Sequence, residues 1–114
     1  SDGYKIQPLF YFENCFILGS IDPAREHQLM IVPKRHVDTP FELTPSEWAE
    51  IGTALDTARE HLASANPDGY TVGWNVGAVA GQTVFHAHMH VFARFAGEHS
   101  EGLGIHALLR ATKS

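Results

Sequence analysis

A nine-residue segment, Val84 to Phe92, alternates histidine with mostly apolar residues and constrains the fold more than any other part of the sequence. Successive side chains of a β-strand point to opposite faces, so an extended segment places His86, His88 and His90 on one face. Because a register shift of one residue would bury three imidazoles, Val84 to Ala93 is predicted to be a half-buried strand with outward histidines. The opposite face is predicted to pack on a helix through Phe85, Ala87, Met89 and Val91.

Other patterns predict the helix and the remaining strands. Thr44-Pro45-Ser46-Glu47 is a capping box with proline at the first helical position, which predicts a helix from Thr44 to about Ser64. Apolar residues at intervals of three and four predict its core-facing stripe: Trp48, Ile51, Leu55, Ala58 and Leu62. Strands are predicted at Leu9 to Phe12, Cys15 to Leu18, Gln28 to Val32 and Tyr70 to Trp74, and a short helix between Glu101 and Arg110. These elements indicate an α+β domain with an antiparallel sheet.

Composition limits the class of protein. A chain of 114 residues with 44% hydrophobic and 18% charged residues fits one domain covering residues 1–114. The net charge of −5 makes broad capture of nucleic acid unfavourable, and no apolar run approaches the roughly 20 residues that span a bilayer. The single cysteine, Cys15, excludes an internal disulfide and suits a reducing compartment, so we expect a cytoplasmic protein without a membrane partner.

Three interpretations of the histidine row compete. The row can be a solvated strand face, although strict alternation beside a glycine-rich loop argues against coincidence. It can be a metal site, but the outer imidazoles of a strand start about 13 Å apart, too far to converge on one ion; two of them with His27 or a glutamate remain an alternative. The third interpretation is nucleophilic catalysis by the central His88, with flanking imidazoles acting on phosphoryl oxygens and no obligatory metal.

The segment before the histidines favours a phosphate ligand. Gly77 and Gly81 allow the backbone to approach an anion closely, and Gln82 and Thr83 add neutral donors. Asn75, at the end of the preceding strand, is a further candidate donor. A tight connection between two strands would explain the glycines equally well if the histidines were absent.

Two segments resemble the histidine triad (HIT) family of nucleotide hydrolases and transferases. Gly81 to Phe92 is similar to the family's His-φ-His-φ-His-φ-φ signature, where φ is apolar, with its preceding Gln and small hydroxyl residue. His27 to His36 resembles the stretch His-x-Leu-x-φ-φ-Pro-Lys-x-His. The resemblance implies a five-stranded antiparallel sheet with one long helix, paired with a second copy into a ten-stranded sheet.

The resemblance also implies a chemistry and a set of site residues. His88 would attack the α-phosphorus of a purine nucleotide, His90 would contact the phosphate or the bridging atom, and His86 would support the nucleophile. His27 would be a fourth catalytic histidine. Phosphate would be held by Asn75, Gly81, Gln82 and Thr83, and the ribose position has only Ser20 and Asp22 as candidates.

We expect a hydrolase without a cofactor, acting on dinucleoside polyphosphates, with His36 interpreted as a surface residue. The alternatives are a phosphoramidate hydrolase of the same family, a nucleotide-binding module with incidental turnover, and a metal-dependent hydrolase.

Overall fold

The computed structural model describes residues 6–105, which form one antiparallel sheet and one long helix. The five strands are β1 (Ile6–Tyr11), β2 (Cys15–Ser20), β3 (Gln28–Pro33), β4 (Gly69–Trp74) and β5 (Met89–Arg94), and the helix α1 spans Pro45–Ala63. The order across the sheet is β1-β2-β3-β5-β4. This architecture confirms the predicted α+β fold with five antiparallel strands. Within residues 6–105, no helix is both long and apolar enough to span a bilayer.

The predicted capping box determines where α1 begins. The Thr44 hydroxyl accepts the backbone N–H of Glu47 at 3.2 Å, and the Glu47 carboxylate accepts the backbone N–H of Thr44 at 2.8 Å. These bonds satisfy backbone donors that lack partners at a helix start. The chain leaves the helix through Asn66, which has a positive φ of 60°, and Pro67 before it enters β4.

The two faces of the sheet have different surroundings. α1 packs against β2, β3 and β5 on one face, which we call the helix face. Paired strand residues share a face, so Ile17, Ile31 and Met89 line the helix face, whereas Leu18, Met30 and His90 line the opposite, triad face. The sheet therefore separates the hydrophobic core from the histidines.

The predicted stripe of α1 is confirmed except at Trp48, and Leu55 packs partly buried against the core. Ile51, Ala58 and Leu62 are buried as expected, and Ala54 is buried as well. Trp48 is exposed, and its indole packs edge-on against Trp74 with ring centroids 5.8 Å apart. Two fully buried alanines let the helix lie close to the sheet, which leaves the bulky Trp48 at the side of the contact.

β4 is less buried than its alternating pattern indicates. Tyr70 and Val72 lie on the helix face and are 37% and 44% exposed. β4 is at the edge of the sheet, beyond the three strands on which α1 packs. These two side chains are therefore only partly covered, and the strand predicted at Tyr70 to Trp74 is confirmed.

β5 begins at Met89 and not at Val84, which corrects the predicted strand. Continuing the β3–β5 pairing past Ile31 and Met89 would place Pro33 opposite Ala87. Proline has no N–H to donate to a ladder, so regular pairing stops there. Phe85, predicted to face the core, lies in the irregular segment before β5 and is 48% exposed. The predicted C-terminal helix extends past residue 105 and lies outside the described residues.

Candidate active site

The first two histidines lie in an irregular segment, residues 82–88, which we call the triad loop. Three hydrogen bonds hold this loop to residues 33–38, which comprise the last residue of β3 and the five residues after it. The His86 ring bonds to the Pro33 carbonyl at 2.7 Å, the Ala87 N–H to the Val37 carbonyl at 2.8 Å, and the side-chain amide of Gln82 to the Asp38 carbonyl at 2.8 Å. His86 and His88 are thus positioned by contacts with residues 33–38 and not by pairing within the sheet.

Gln82 is the buried hub of the triad loop. Its Nε2 donates to the carbonyls of Asp38 and Val84, and its Oε1 accepts the Gly77 N–H at 2.7 Å. Both amide hydrogens are therefore engaged with backbone carbonyls. The expectation that this side chain donates to phosphate does not fit these contacts, and its geometry is that of a brace for the loop.

Hydrogen bonds to carbonyls fix the proton positions on two histidine rings. A carbonyl oxygen only accepts, so the ring nitrogen facing it must carry the proton. His86 therefore carries its proton on Nε2, which faces the Pro33 carbonyl. His88 carries its proton on Nδ1, which lies 2.9 Å from the carbonyl oxygen of His86. In the neutral ring of His88, the lone pair is consequently on Nε2.

His90 lies beside His88 but is buried, which differs from the predicted outward row. The two ring centroids are 4.8 Å apart and nearly perpendicular, closer than the roughly 6.7 Å between alternate residues along a strand. The other side of His90 stacks on Phe92, with the ring planes at 8°. Burial, with a smaller contribution from the charge of His88, lowers the pKa of His90 to about 4. His90 is therefore neutral at pH 7.

The glycine-rich turn, residues 77–81, directly precedes the triad loop and is bonded to Gln82. Gly77 and Gly81 have positive φ values of 87° and 100°, which only glycine adopts without strain. Asn75 directly follows Trp74, the partner of Met89, so it lies at the level of His88. Thr83 is exposed beside Gln82. The structure thus brings Asn75, Gly81 and Thr83 to the end of the sheet that carries His88.

His27 does not join the triad. It precedes Met30, the partner of His90, by three residues or about 10 Å of strand. Its ring contacts Phe95 at a centroid distance of 5.0 Å and its Nε2 lies 3.4 Å from the Glu26 carboxylate. Strand alternation instead puts the neighbouring Gln28 on the triad face, paired with Phe92. Strand alternation along residues 28–33 could have identified Gln28, instead of His27, as the residue on the triad face.

The two ribose candidates lie at the end of β2. Ser20 shares the triad face with Leu18, two residues earlier. The Ser20 hydroxyl accepts the Asp22 N–H at 3.0 Å, and the Asp22 carboxylate accepts the Ala24 N–H at 3.0 Å. Both side chains therefore stabilise the turn, while the hydroxyl of Ser20 retains a hydrogen to donate.

His36 belongs to the site's surroundings, which the sequence analysis missed. Its side chain is exposed, as expected, yet its ring lies edge-on to His86 with centroids 4.8 Å apart. Its Nε2 is 3.7 Å from the Asp38 carboxylate. The feature that could have indicated this proximity is the position of His36 within residues 33–38, whose carbonyls hold the triad loop. Among residues 6–105, no group of three or more His, Cys, Asp or Glu side chains is arranged to hold a metal ion.

A shallow cavity of about 260 Å³, lined in part by Phe92, lies where β3 begins and β5 ends. Its lining includes His27, Gln28, Phe92, Arg94, Phe95 and Ser100. Arg94 organises one wall, because its guanidinium donates to Thr71 and to the carbonyls of Ser100 and Leu103. The aromatic contact from His90 to Phe92 therefore connects the triad to this cavity.

Comparison with known proteins agrees with this geometry. The family profile described as the HIT domain matches residues 5–97, most of the chain. The chain belongs to the HIT family. The crystal structure of a HIT family protein from Bacillus anthracis superposes with a TM-score of 0.71 at 27% identity, covering 80% of this chain and 65% of that one. The HIT fold expected from the two resembling segments is confirmed.

HIT relatives of this chain include enzymes that act on nucleotides. A bis(5'-adenosyl)-triphosphatase from Dictyostelium discoideum is 33% identical over 89 residues, which cover 75% of this chain and 58% of the relative. An adenosine 5'-monophosphoramidase from Schizosaccharomyces pombe is 29% identical over 84 residues, covering 74% and 61%. Several other relatives are uncharacterised HIT-like proteins. The chain thus spans less than two thirds of the length of each of these two enzymes.

Proposed function

We propose that the chain is a nucleotide hydrolase or nucleotidyl transferase that acts at the α-phosphate through a covalent nucleotidyl-His88 intermediate. The observation that carries this proposal is the hydrogen bond from Nδ1 of His88 to the His86 carbonyl. It leaves the Nε2 lone pair available, beside His90 and at the end of the sheet where the glycine-rich turn lies. An imidazole in this state is a nucleophile near neutral pH without a separate base.

The reaction has two balanced steps. Nε2 of His88 bonds to the α-phosphorus while the bond from that phosphorus to its bridging atom breaks, and the leaving group departs with the electron pair. The ring keeps its Nδ1 proton and becomes positively charged, which strengthens its bond to the His86 carbonyl. Water then attacks the phosphorus and the N–P bond breaks with its electron pair returning to Nε2 of His88, which becomes neutral again. One hydrogen of the water stays on the new phosphate oxygen of the released nucleoside monophosphate, and the other leaves to solvent as a proton.

Dinucleoside polyphosphates fit the site better than amine-bearing substrates. A departing polyphosphate is a stable anion near neutral pH, whereas a departing amine must gain a proton. His90, whose pKa is lowered to about 4, holds no extra proton to give at pH 7 and acts as a neutral N–H donor to the phosphate or bridging atom. The Dictyostelium relative is named for such a polyphosphate substrate.

The remaining site residues are assigned by their positions. We place the α-phosphate among Asn75, Gly81 and Thr83, which surround the level of His88. The purine nucleoside would extend past Phe92 into the cavity lined by Gln28, with Ser20 as the ribose donor on the same face. Gln82 and His86 would act by holding the triad loop in place. His27 and Asp22 would lie only at the edge of the nucleotide site.

The test is a trapping experiment with diadenosine tetraphosphate. Acid-quenched mass spectrometry of the unchanged protein should detect an adenylyl group on the peptide that contains His88. His88→Asn should abolish both the adduct and turnover while nucleotide still binds by calorimetry. His61→Asn, an exposed histidine on α1, is the matched control and should behave like the unchanged protein. An adduct on any other histidine would overturn the assignment.

Three alternatives give different outcomes with the same protein and substrates. Faster release of amine from adenosine phosphoramidate than of ATP from diadenosine tetraphosphate would favour the activity for which the Schizosaccharomyces pombe relative is named. Micromolar binding of both substrates with no adduct and no turnover would favour a binding module. Loss of turnover on treatment with a chelator, restored by a divalent ion, would favour a metal-dependent hydrolase.

We also propose that the chain forms a homodimer through β4. This edge strand exposes Tyr70 and Val72 on a face that α1 leaves open. Sedimentation at micromolar concentration should show a dimer, and Val72→Lys should give a monomer, whereas Val79→Lys, at a fully exposed position outside the sheet, should not. The single buried thiol of Cys15 is consistent with the reducing environment of the cytoplasm, which we propose as its location.

A further inference from the structure

An ion pair between Arg35 and Glu47 connects α1 to the residues that hold the triad loop. The Arg35 guanidinium donates from Nε and Nη2 to the two carboxylate oxygens of Glu47, at 3.0 and 2.9 Å. The Glu47 side chain is only 10% exposed. Nη2 of Arg35 also donates to the Glu42 carbonyl at 2.7 Å. This two-point geometry fixes the direction of the guanidinium as well as its distance.

Glu47 has two functions in this arrangement. Its carboxylate accepts the Thr44 N–H as part of the capping box, and the same carboxylate receives Arg35. The first turn of α1, which is anchored on the core through Ile51, is thereby tied to residues 33–38. A capping glutamate alone would need only the first of these contacts, so the second calls for its own explanation.

Residues 33–38 are the segment that positions the triad loop. Arg35 lies between Pro33 and Val37, whose carbonyls receive the His86 ring and the Ala87 N–H. The Asp38 carbonyl receives Gln82 from the same loop. A displacement of this segment would therefore move the His86 carbonyl, which is the acceptor for Nδ1 of His88.

We propose that Arg35 and Glu47 are positioning residues, which set the orientation of the His86 and His88 rings by fixing residues 33–38 against the start of α1. The proposal rests on the proposed function for its catalytic consequence, but the ring geometry is measurable without turnover. Neither residue touches substrate in this arrangement, so substrate binding should depend on them much less than the chemical step.

The experiment uses Glu47→Gln and Arg35→Lys in the whole chain. Glutamine still accepts the Thr44 N–H but loses the ionic contact, and lysine keeps the charge but cannot bind both carboxylate oxygens. With diadenosine tetraphosphate, kcat should fall roughly 10- to 100-fold because small misplacements of a reacting group cost this much. KM should change by less than about threefold, as expected when ground-state binding is retained. The NMR signals of His86 Nε2–H and His88 Nδ1–H should shift or broaden by exchange with water.

Two controls separate positioning from simple stabilisation. Thr44→Ala removes the other half of the capping box without touching Arg35, and Glu60→Gln makes the same chemical change at an exposed position of α1. Both should retain the ring N–H signals and kcat, although Thr44→Ala should unfold at a lower urea concentration. If Glu47→Gln and Arg35→Lys only match Thr44→Ala, the pair is a helix cap and the proposal is wrong. If Glu47→Gln does not fold, the ring N–H signals and kcat of Arg35→Lys test the proposal by themselves.

Failure of the proposed function has a different signature. If the unchanged protein has no turnover, the hydrolase proposal is refuted. If the ring N–H signals still change in Glu47→Gln and Arg35→Lys but not in Thr44→Ala, the positioning role is supported all the same.

Discussion

The side-chain amide of Gln82 donates to the carbonyl of Asp38 at 2.8 Å, although the two residues are 44 positions apart in the chain. The same amide closes the turn that begins at Gly77, through the Gly77 N–H and the Val84 carbonyl. One buried side chain therefore joins the glycine-rich turn, the triad loop and residues 33–38. This contact makes the loop before the histidines a structural unit.

Replacing Gln82 by alanine should destabilise the protein. The substitution removes the partner of the Gly77 N–H and of two carbonyls, and each lost hydrogen bond costs about 0.5–1.5 kcal/mol. Urea unfolding should show a loss of at least about 1 kcal/mol, whereas Thr83→Ala at the neighbouring exposed position should stay within about 0.5 kcal/mol. Equal stabilities for the two variants would mean that the hub contributes nothing.

Stability should fall between pH 7 and pH 5 because of His90. Its folded pKa of about 4 lies below the value of about 6.5 for an unfolded histidine, so only the unfolded chain binds a proton in this range. Proton binding to the unfolded chain favours unfolding, and the loss amounts to about 2 kcal/mol for this one group. His90→Phe should remove this component, so the difference in unfolding free energy between pH 7 and pH 5 should shrink. An unchanged difference would argue against a neutral, buried His90.

The thiol of Cys15 should be inert in the folded protein. Burial, together with its hydrogen bond to Glu50, raises its pKa to about 12, so almost no thiolate is present at pH 8. Iodoacetamide should alkylate Cys15 at least 100-fold more slowly in the native state than in urea. Rapid alkylation under native conditions would show that β2 opens more often than its burial indicates.

Two glycine substitutions should have opposite effects on stability. A Cβ at Gly52 meets nothing within 4 Å, so Gly52→Ala should stabilise α1 by about 0.5–1 kcal/mol. Gly77 has equal space but a φ of 87°, and Gly77→Ala should cost about 1–3 kcal/mol through backbone strain. Thermal unfolding of the two variants measures both effects, and a stabilising Gly77→Ala would contradict the strained geometry.

Local sequence patterns were sufficient to predict most elements of the fold. The capping box at Thr44 and the turn at Asn66 define both ends of α1, because each depends on residues close together in the chain. The exposure of Trp48 was not predictable in this way. It depends on Ala54 and Ala58 bringing the helix close to the sheet, which is a property of the packing between two elements.

The site was predictable where alternation holds and unpredictable where it stops. His90 belongs to β5, and its place in a strand followed from the alternation. The residue at which β5 starts depends on Pro33 in β3, and the periodicity of residues 84–93 contains no information about that partner. The same limit explains His27. His27 was predicted to be a catalytic residue from its position in the family pattern alone. The pairing of Gln28 with Phe92 instead determines which residue of β3 faces the triad. The contact of His36 with His86 arises from two loops and has no local signature.

Because His86 and His88 lie outside the strand ladder, their arrangement has a free energy of opening separate from that of the sheet. Between the triad loop and residues 33–38, the described part of the chain has one backbone hydrogen bond, from Ala87 to Val37. If it broke together with the side-chain bonds, β5 would remain paired from Met89 onward. On gradual heating, the arrangement of His86 and His88 should therefore be lost before the sheet melts, and it should re-form on cooling without a new folding event.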